Sequence, residues 1–458
     1  MRAERDDPQR PCLREDAASW WHMGRCQCHD RDTHCPIKPF HCCPPRADYI
    51  SALHNCGFVS RAPQQDRPHF GLQFAPHRAV RNGWALAMSK LRVAIVAPSL
   101  DILGGEAVQA DRLLRAWRGD PEFDARLVPI NPTAGRLLGR LGHVRYVRAL
   151  ASELAYLPLL VRELSHADVV HVFSRAYFWF LLAPLPAIAM GRAFGRPVVL
   201  HYHNGEAPDH LKRSPVARAA LARVNRIVVP SRYLADVLGQ RGLTSSIIPN
   251  VIDLERFSFR VRDPLRPRLL STRNLHALYN VECTLRAFQL VQRCRPDASL
   301  TLLGSGSRER SLRLMAEALR LSNVRFLGRV PHDAMPGYYA DHDLYIQSPD
   351  VDNMPNSVIE AFASGLPVVS TDAGGIPTMF TDGEQGLLAP VNDHEALAWR
   401  VLRLLDEPET ARRIACAARR ASEAYTWPRV RGEWLHMYRS LVATSANRAL
   451  CRPSHEVG

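Results

Sequence analysis

Asp352-Asn353-Met354-Pro355-Asn356-Ser357-Val358-Ile359-Glu360-Ala361-Phe362-Ala363-Ser364-Gly365-Leu366-Pro367-Val368-Val369 is the stretch whose reading decides the fold. Its two carboxylates, Asp352 and Glu360, are eight residues apart and bracket a loop-to-helix junction. The pattern predicts a strand over 344–347, a helix over 357–363 and a further strand over 367–370. Asn356 or Ser357 stands where a helix N-cap is expected. A helix start offers free amides to anionic or hydroxylated ligands, and carboxylates beside it accept hydrogen bonds from sugar hydroxyls. A capped surface helix with two solvated acids has the same local sequence, so the rest of the chain must decide.

Working outward, strand, turn and helix repeat from Met88 onward. The segment 91–97 is apolar except for Arg92, as for a strand buried on both faces of a parallel sheet. Gly104-Gly105 follows, then a helical stretch over 107–117, with further strands over 169–173, 198–203, 226–229 and 246–248. The charged stretch 259–268, with Pro264 and Pro267, reads as a linker. A second series places strands at 268–272, 299–303 and 324–327 and helices at 281–293, 308–321 and 395–405. This alternation predicts an α/β chain of two Rossmann-like, doubly wound domains, 88–260 and 261–442, with a tail over 443–458. Ligands bind beyond the strand C-terminal ends, so chemistry is expected in the cleft between the domains.

Composition agrees. With 458 residues, 46% hydrophobic and 23% charged, the chain has material for two or three cores, which excludes a collagen or a polytopic membrane protein. The net charge of +14 is concentrated in 88–260, which carries 23 Lys and Arg against 14 Asp and Glu. Such a surface attracts anions. Seven of the 11 cysteines fall in the first 56 residues, and the four beyond Met88 form no C-x-x-C pair, as in a reduced, cytoplasmic protein. No apolar signal-peptide core is visible at the N-terminus.

Residues 1–87 lack apolar periodicity and read as a disordered extension or an over-long gene start. Their cluster Cys26, Cys28, His29, His34, Cys35, His41, Cys42 and Cys43 does not have the ligand spacing of a zinc loop. The uncharged segment 176–191 contains Pro184 and Pro186 and is shorter than the roughly 20 residues that span a bilayer, so a buried or interfacial helix is expected. Arg136, Arg140, Arg145 and Arg148 interleave with Leu137, Leu138, Leu141, Val144 and Val147, a pattern suited to an anionic lipid surface.

The quoted stretch resembles the retaining nucleotide-sugar glycosyltransferases of family four, which have the GT-B fold. That family carries E-x7-E followed by A-x-G-x-P-V-V, and this chain departs from it only in having Asp352 for the first Glu. Further matches agree in order: Gly104-Gly105, Val229-Pro230-Ser231-Arg232-Tyr233, Ile248-Pro249-Asn250-Val251-Ile252-Asp253 with Phe257, Leu303-Gly304-Ser305-Gly306, Val324-Arg325-Phe326-Leu327-Gly328, and Gly374-Gly375-Ile376-Pro377 through Gly386. The resemblance covers about 91–440.

The resemblance implies that Glu360 holds the nucleotide ribose, Asp352 contacts sugar hydroxyls and Arg273 neutralises the donor diphosphate. His203 faces the donor sugar, with His201 a weaker candidate and Glu206 an acceptor contact. Gly104, Gly105, Gly304, Val330, Asn356 and Ser357 complete the donor site. Where the family has a second phosphate-binding Lys, Asn280 is the nearest residue here, and another Arg is the alternative. The implied mechanism has no enzyme nucleophile; the leaving diphosphate oxygen helps deprotonate the acceptor. No metal or cofactor is implied beyond the nucleotide sugar. The acceptor is a lipid-linked or polysaccharide hydroxyl, handled on the cytoplasmic face of a membrane.

A Rossmann dehydrogenase would need a dinucleotide fingerprint, and Gly304-x-Gly306 lacks its third glycine; three further alternatives stand beside it. Asp350-x-Asp352 could ligate a metal in a GT-A transferase. A non-hydrolysing sugar-nucleotide epimerase shares the two-domain architecture. A nucleic-acid binder is suggested by charge alone, without a recognisable motif.

Overall fold

In a computed structural model, residues 90–99, 104–131 and 145–450 are described. Among these described residues twelve strands form two sheets, all parallel within each. The first contains β1 (Leu91–Ala97), β2 (Phe123–Pro129), β3 (Val169–Phe173), β4 (Val198–His201), β5 (Arg226–Val229) and β6 (Ser246–Ile247). The second contains β7 (Arg268–Ser271), β8 (Ser299–Leu303), β9 (Val324–Gly328), β10 (Leu344–Gln347), β11 (Val368–Thr371) and β12 (Leu387–Ala389). The order of the first sheet is β2-β1-β3-β4-β5-β6 and that of the second β12-β11-β10-β7-β8-β9.

These two orders are the two common doubly wound arrangements, and each has one switch point. In the first sheet the connections diverge between β1 and β3, where Gly104-Gly105 leads into helix Gly105–Trp117. In the second they diverge between β7 and β10, where Arg273 follows β7 and the Asp352 loop follows β10. Apolar runs such as Val169–Phe173 are wholly buried because helices cover both faces of the sheet.

Most predicted elements are present with ends shifted by a residue or two. Edge strands β2 and β12 are additional; β2 is only partly buried and mixes Asp124 and Arg126 into its sequence, which hides the strand pattern. The segment 176–191 is two helices, Phe178–Leu182 and Pro184–Ala193, broken where Pro184 starts the second. The 259–268 linker is tied down: the buried Arg262 donates to the carbonyls of His342 at 3.1 Å and Tyr339 at 2.9 Å. The stretch 132–144, the cysteine cluster and the rest of 1–89 lie outside the described residues.

The second domain was expected to run to 442. Instead, helix Trp427–Leu450 packs against the first sheet and takes in half of the supposed tail. Its Val430, Trp434, Met437, Tyr438 and Leu441 share a core with Ile95, Trp117 and Phe123. Trp434 meets the Trp117 ring edge-on at 6.4 Å. Arg431 forks onto Asp120 at 2.7 and 2.9 Å and reaches Glu122 at 2.6 Å. The helix covers a sheet face that would otherwise be wet.

Trp434→Ala should therefore cost about 3–5 kcal/mol of stability in denaturant unfolding, through lost burial and a cavity. Trp399→Ala, at a ring 53% exposed, should cost less than about 1 kcal/mol. Equal losses would show that the C-terminal helix is not part of the first core.

Candidate active site

Two helices begin at the two switch points and face each other: Gly105–Trp117 from the first domain and Asn356–Ser364 from the second. Their contact is polar. The buried Arg112 forms an ion pair with the buried Glu360 and also donates to the Val251 carbonyl at 3.2 Å. Gln109 donates to Asn356 Oδ1 at 2.7 Å, and Asn250 Nδ2 reaches the same oxygen at 3.0 Å. Asn353 adds a second link, accepting from Ser231 and donating to the His203 carbonyl at 3.3 Å. Asn356 or Ser357 was expected to cap the second helix. Neither does; Pro355 occupies the N-cap, while Asn356 bonds across to the first domain and Ser357 to Arg273.

Above these helix starts lies a cavity of about 620 Å³, within the usual range for small-molecule sites. Its wall includes Gly104, Gly105, His203, Arg273, Gly304, Val330, Asp352, Asn356, Ser357 and Glu360. Ten of the eleven residues predicted for the catalytic and donor sites thus meet in one place. The exception is Asn280. Its backbone is left-handed (φ 41°), its Oδ1 caps helix Val281–Cys294 through the Cys283 amide, and its Nδ2 bonds Asp350 at 2.7 Å. It is absent from the cavity wall. Arg329, beyond β9, is on the wall instead and supplies positive charge there.

Arg273 is the centre of the second-domain side. Its guanidinium pairs with Asp352, donates to Ser357 Oγ at 3.2 Å and lies 4.2 Å over the Tyr279 ring. Its Nε is buried and has no partner. A part-buried guanidinium with a buried, unmet Nε can take a further hydrogen-bond acceptor. Glycines fix the loops that aim it. A Cβ on Gly304 (φ +130°) would fall 2.3 Å from the Arg273 carbonyl, and one on Gly374 (φ +54°) 2.1 Å from that of Asp352. No side chain fits at either position. At Gly104 a Cβ meets nothing within 4 Å, so that residue leaves open cavity instead of relieving a clash.

On the first-domain side, His203 stacks on Phe173 with centroids 5.2 Å apart and lies tilted against His201 at 4.0 Å. Its buried Nε2 has no partner. His201 is not on the cavity wall. It belongs to a buried row in which His201 Nδ1 meets His171 Nε2 at 3.1 Å and His171 Nδ1 meets the Tyr438 hydroxyl at 2.7 Å. Burial lowers the pKa of His203 and of His171 to about 3 and pushes His201 down as well. The ring facing the cavity is therefore neutral at physiological pH. Glu206 shares the wall.

Asp350 and Asp352 do not converge: one bonds Asn280 and the other pairs with Arg273. Among the described residues no group of three or more His, Cys, Asp or Glu is arranged to hold a metal ion. Glu106, Gln109 and Arg112 escaped the sequence reading. Their signal is a polar stripe at three-residue spacing along an otherwise apolar helix face.

Comparison with known proteins agrees with this geometry. The family model described as Glycosyltransferase Family 4 matches residues 83–256, and that described as Glycosyl transferases group 1 matches 256–421. The chain is 24% identical over 312 residues to the sulfoquinovosyl transferase of Arabidopsis thaliana, covering 62% of this chain and 59% of that protein. It is 26% identical over 367 residues to the GDP-mannose-dependent alpha-(1-6)-phosphatidylinositol monomannoside mannosyltransferase of Mycolicibacterium smegmatis, covering 73% and 91%. The solved sucrose-phosphate synthase of Thermosynechococcus elongatus superposes on 78% of this chain and 100% of its own, with a TM-score of 0.64 at 19% identity. The two-domain fold is therefore GT-B, which sets aside a GT-A architecture.

The neutral histidine row has a consequence for stability. Below about pH 6.5 the unfolded chain binds protons that His171, His201 and His203 refuse when folded. Stability should fall as pH drops from 7 to 5, each ring contributing at most about 1.4 kcal/mol per pH unit. Thermal melting of the wild type across this range, beside a His171→Gln variant, measures it. The variant should show a shallower loss; an unchanged slope would mean that His171 is protonated in the fold.

Proposed function

The chain belongs to glycosyltransferase family 4, and from that membership we propose that it moves a sugar from a nucleoside-diphosphate donor to a hydroxyl of a lipid-linked or polysaccharide acceptor, with retention at the anomeric carbon and without a metal. The observation that carries this reading is the unsatisfied Arg273 guanidinium on the wall of a cavity between two helix starts. In the reading, the donor diphosphate takes the free Nε and part of the pairing now given to Asp352. Arg273 stabilises the charge that develops on the leaving diphosphate. Arg329 and the helix starts of Gly105–Trp117 and Asn356–Ser364 add positive potential, the role a metal plays elsewhere. Asp352 is released toward the sugar hydroxyls, and Glu360 holds the ribose through the face that opens on the cavity. Neutral His203 accepts from or donates to the donor sugar.

The lipid-linked acceptor is supported by a surface and by a relative. Phe178, Trp179 and Leu181 are exposed on helix Phe178–Leu182, with Trp179 47% exposed beneath the Arg175 guanidinium at 5.2 Å. Leu157 and Val161 of the neighbouring helix Arg145–His166 are exposed as well. Apolar rings beside arginine suit a membrane interface, so peripheral attachment to the cytoplasmic face of a membrane belongs to the proposal. No helix among the described residues is long and apolar enough to cross a membrane. The mycobacterial relative carries both a nucleotide-sugar donor and a lipid acceptor in its name.

A panel of nucleotide sugars assayed for diphosphate release, with and without EDTA, tests the reading. Release from one donor should survive EDTA, fall by about 100- to 1,000-fold in Arg273→Ala, and lose donor affinity in Glu360→Gln. Release that EDTA abolishes, or that Arg273→Ala leaves intact, would overturn it.

A further inference from the structure

Among the described residues, five buried side-chain atoms without a hydrogen-bond partner belong to residues on the cavity wall: His203 Nε2, Asn204 Nδ2, Asn250 Oδ1, Arg273 Nε and His332 Nε2. His203 and Arg273 already have roles toward the donor. Asn204 has none, and the other end of its side chain is tied down.

Asn204 lies just beyond β4, between His203 and Gly205. Its Oδ1 accepts from the Glu206 amide at 3.1 Å, and its carbonyl accepts from the Ala207 amide at 3.2 Å. These bonds close the turn into helix Ala207–Arg213. The turn also orients the amide group. The Glu206 N–H needs an acceptor, so the oxygen faces it and the Nδ2 donor is the other end. That donor is enclosed and unmet. An enclosed amide N–H without an acceptor is costly, and on a cavity wall the missing acceptor is one that a ligand brings. The loop is also pressed against the second domain. The His203 carbonyl accepts from Asn353 Nδ2 at 3.3 Å, and a Cβ on Gly205 would fall 3.2 Å from the Asp352 carbonyl carbon. Asn204 stands between these two contacts, beside the loop that carries Asp352.

We propose that Asn204 is a specificity-determining residue that reads one hydroxyl of the transferred sugar. Its Nδ2 donates to the hydroxyl oxygen, and that hydroxyl donates its own proton in a hydrogen bond to the Asp352 carboxylate. The proposal rests on the transferase reading, in which Asp352 turns to the sugar hydroxyls. A hydroxyl is both donor and acceptor, so an amide N–H from one domain and a carboxylate from the other are its complement. The ligand feature recognised is therefore a free hydroxyl on the donor's sugar ring, not the nucleotide. A sugar lacking that hydroxyl leaves both groups unmet and is rejected.

The test uses the full chain and calorimetry. The probes are the nucleotide sugar that the wild type binds most tightly, its free nucleoside diphosphate, and its set of monodeoxy sugar analogues. Asn204→Ser keeps an oxygen able to close the turn and removes the Nδ2 donor. The wild type should bind one monodeoxy analogue about 100-fold more weakly than the parent. The variant should bind the nucleoside diphosphate as the wild type does and the parent sugar about 10-fold more weakly. Its discrimination against that one analogue should shrink by about 10-fold, with the others unchanged. A variant that discriminates like the wild type overturns the proposal, because the amide then serves only the turn. A loss spread over all analogues, or shared by the nucleoside diphosphate, overturns it as well, because the loop is then merely displaced. So does wild-type binding that no single deoxygenation weakens. Failure of every nucleotide sugar to bind the wild type overturns the transferase reading itself, and this proposal with it.

Discussion

The buried ion pair between Arg112 and Glu360 is the contact on which the site depends. It joins the helix that starts at one switch point to the helix that starts at the other, and so sets the distance between two independent sheets. Two charges withdrawn from water repay their desolvation only when geometry and extra hydrogen bonds are good. Here the Val251 carbonyl accepts a further bond from Arg112, and Gln109, Asn250 and Asn356 bond one another alongside the pair across the same seam. Loss of either partner would leave a bare charge in the seam, so the interaction specifies one domain arrangement more than it adds stability.

The cavity that this seam frames is built from opposing charges held in reserve. Arg273 is paired with Asp352, yet its Nε is unmet. On the proposed reading, an incoming diphosphate would meet a cation already positioned by Gly304 and Tyr279, with Asp352 as the counter-ion it displaces. Preorganisation of this kind avoids reorganisation cost at the moment of charge transfer. Glu360 has a double duty, because the carboxylate assigned to the ribose is the one that closes the seam. On the proposed reading, donor binding and the domain seam would be coupled through a single side chain.

Much of this was legible in sequence because the informative residues sit in one continuous run. Asp352, Asn356, Ser357 and Glu360 all lie within nine residues, and the strand, glycine turn and helix signals around them are strong. Arg273 was legible through the family resemblance, which implies an arginine just past the first strand of the second domain. What escaped depends on distant packing. Arg112 looks like one more surface arginine in a helix of mixed charge until residue 360 arrives from 248 positions away. The C-terminal helix has a mixed face whose apolar members match a sheet formed some 300 residues earlier, and no local pattern encodes that partner. Asn280 failed for the opposite reason. Its nearness to the position of the family's second phosphate-binding lysine suggested a phosphate contact, while its left-handed backbone turned the side chain to a helix cap.

The most direct test of the account is a crystal structure of the chain with a nucleoside diphosphate bound. The account predicts diphosphate oxygens on the Arg273 guanidinium, about 3 Å away, with the ribose hydroxyls at Glu360. A nucleotide bound elsewhere, with Arg273 still paired only to Asp352, would contradict it.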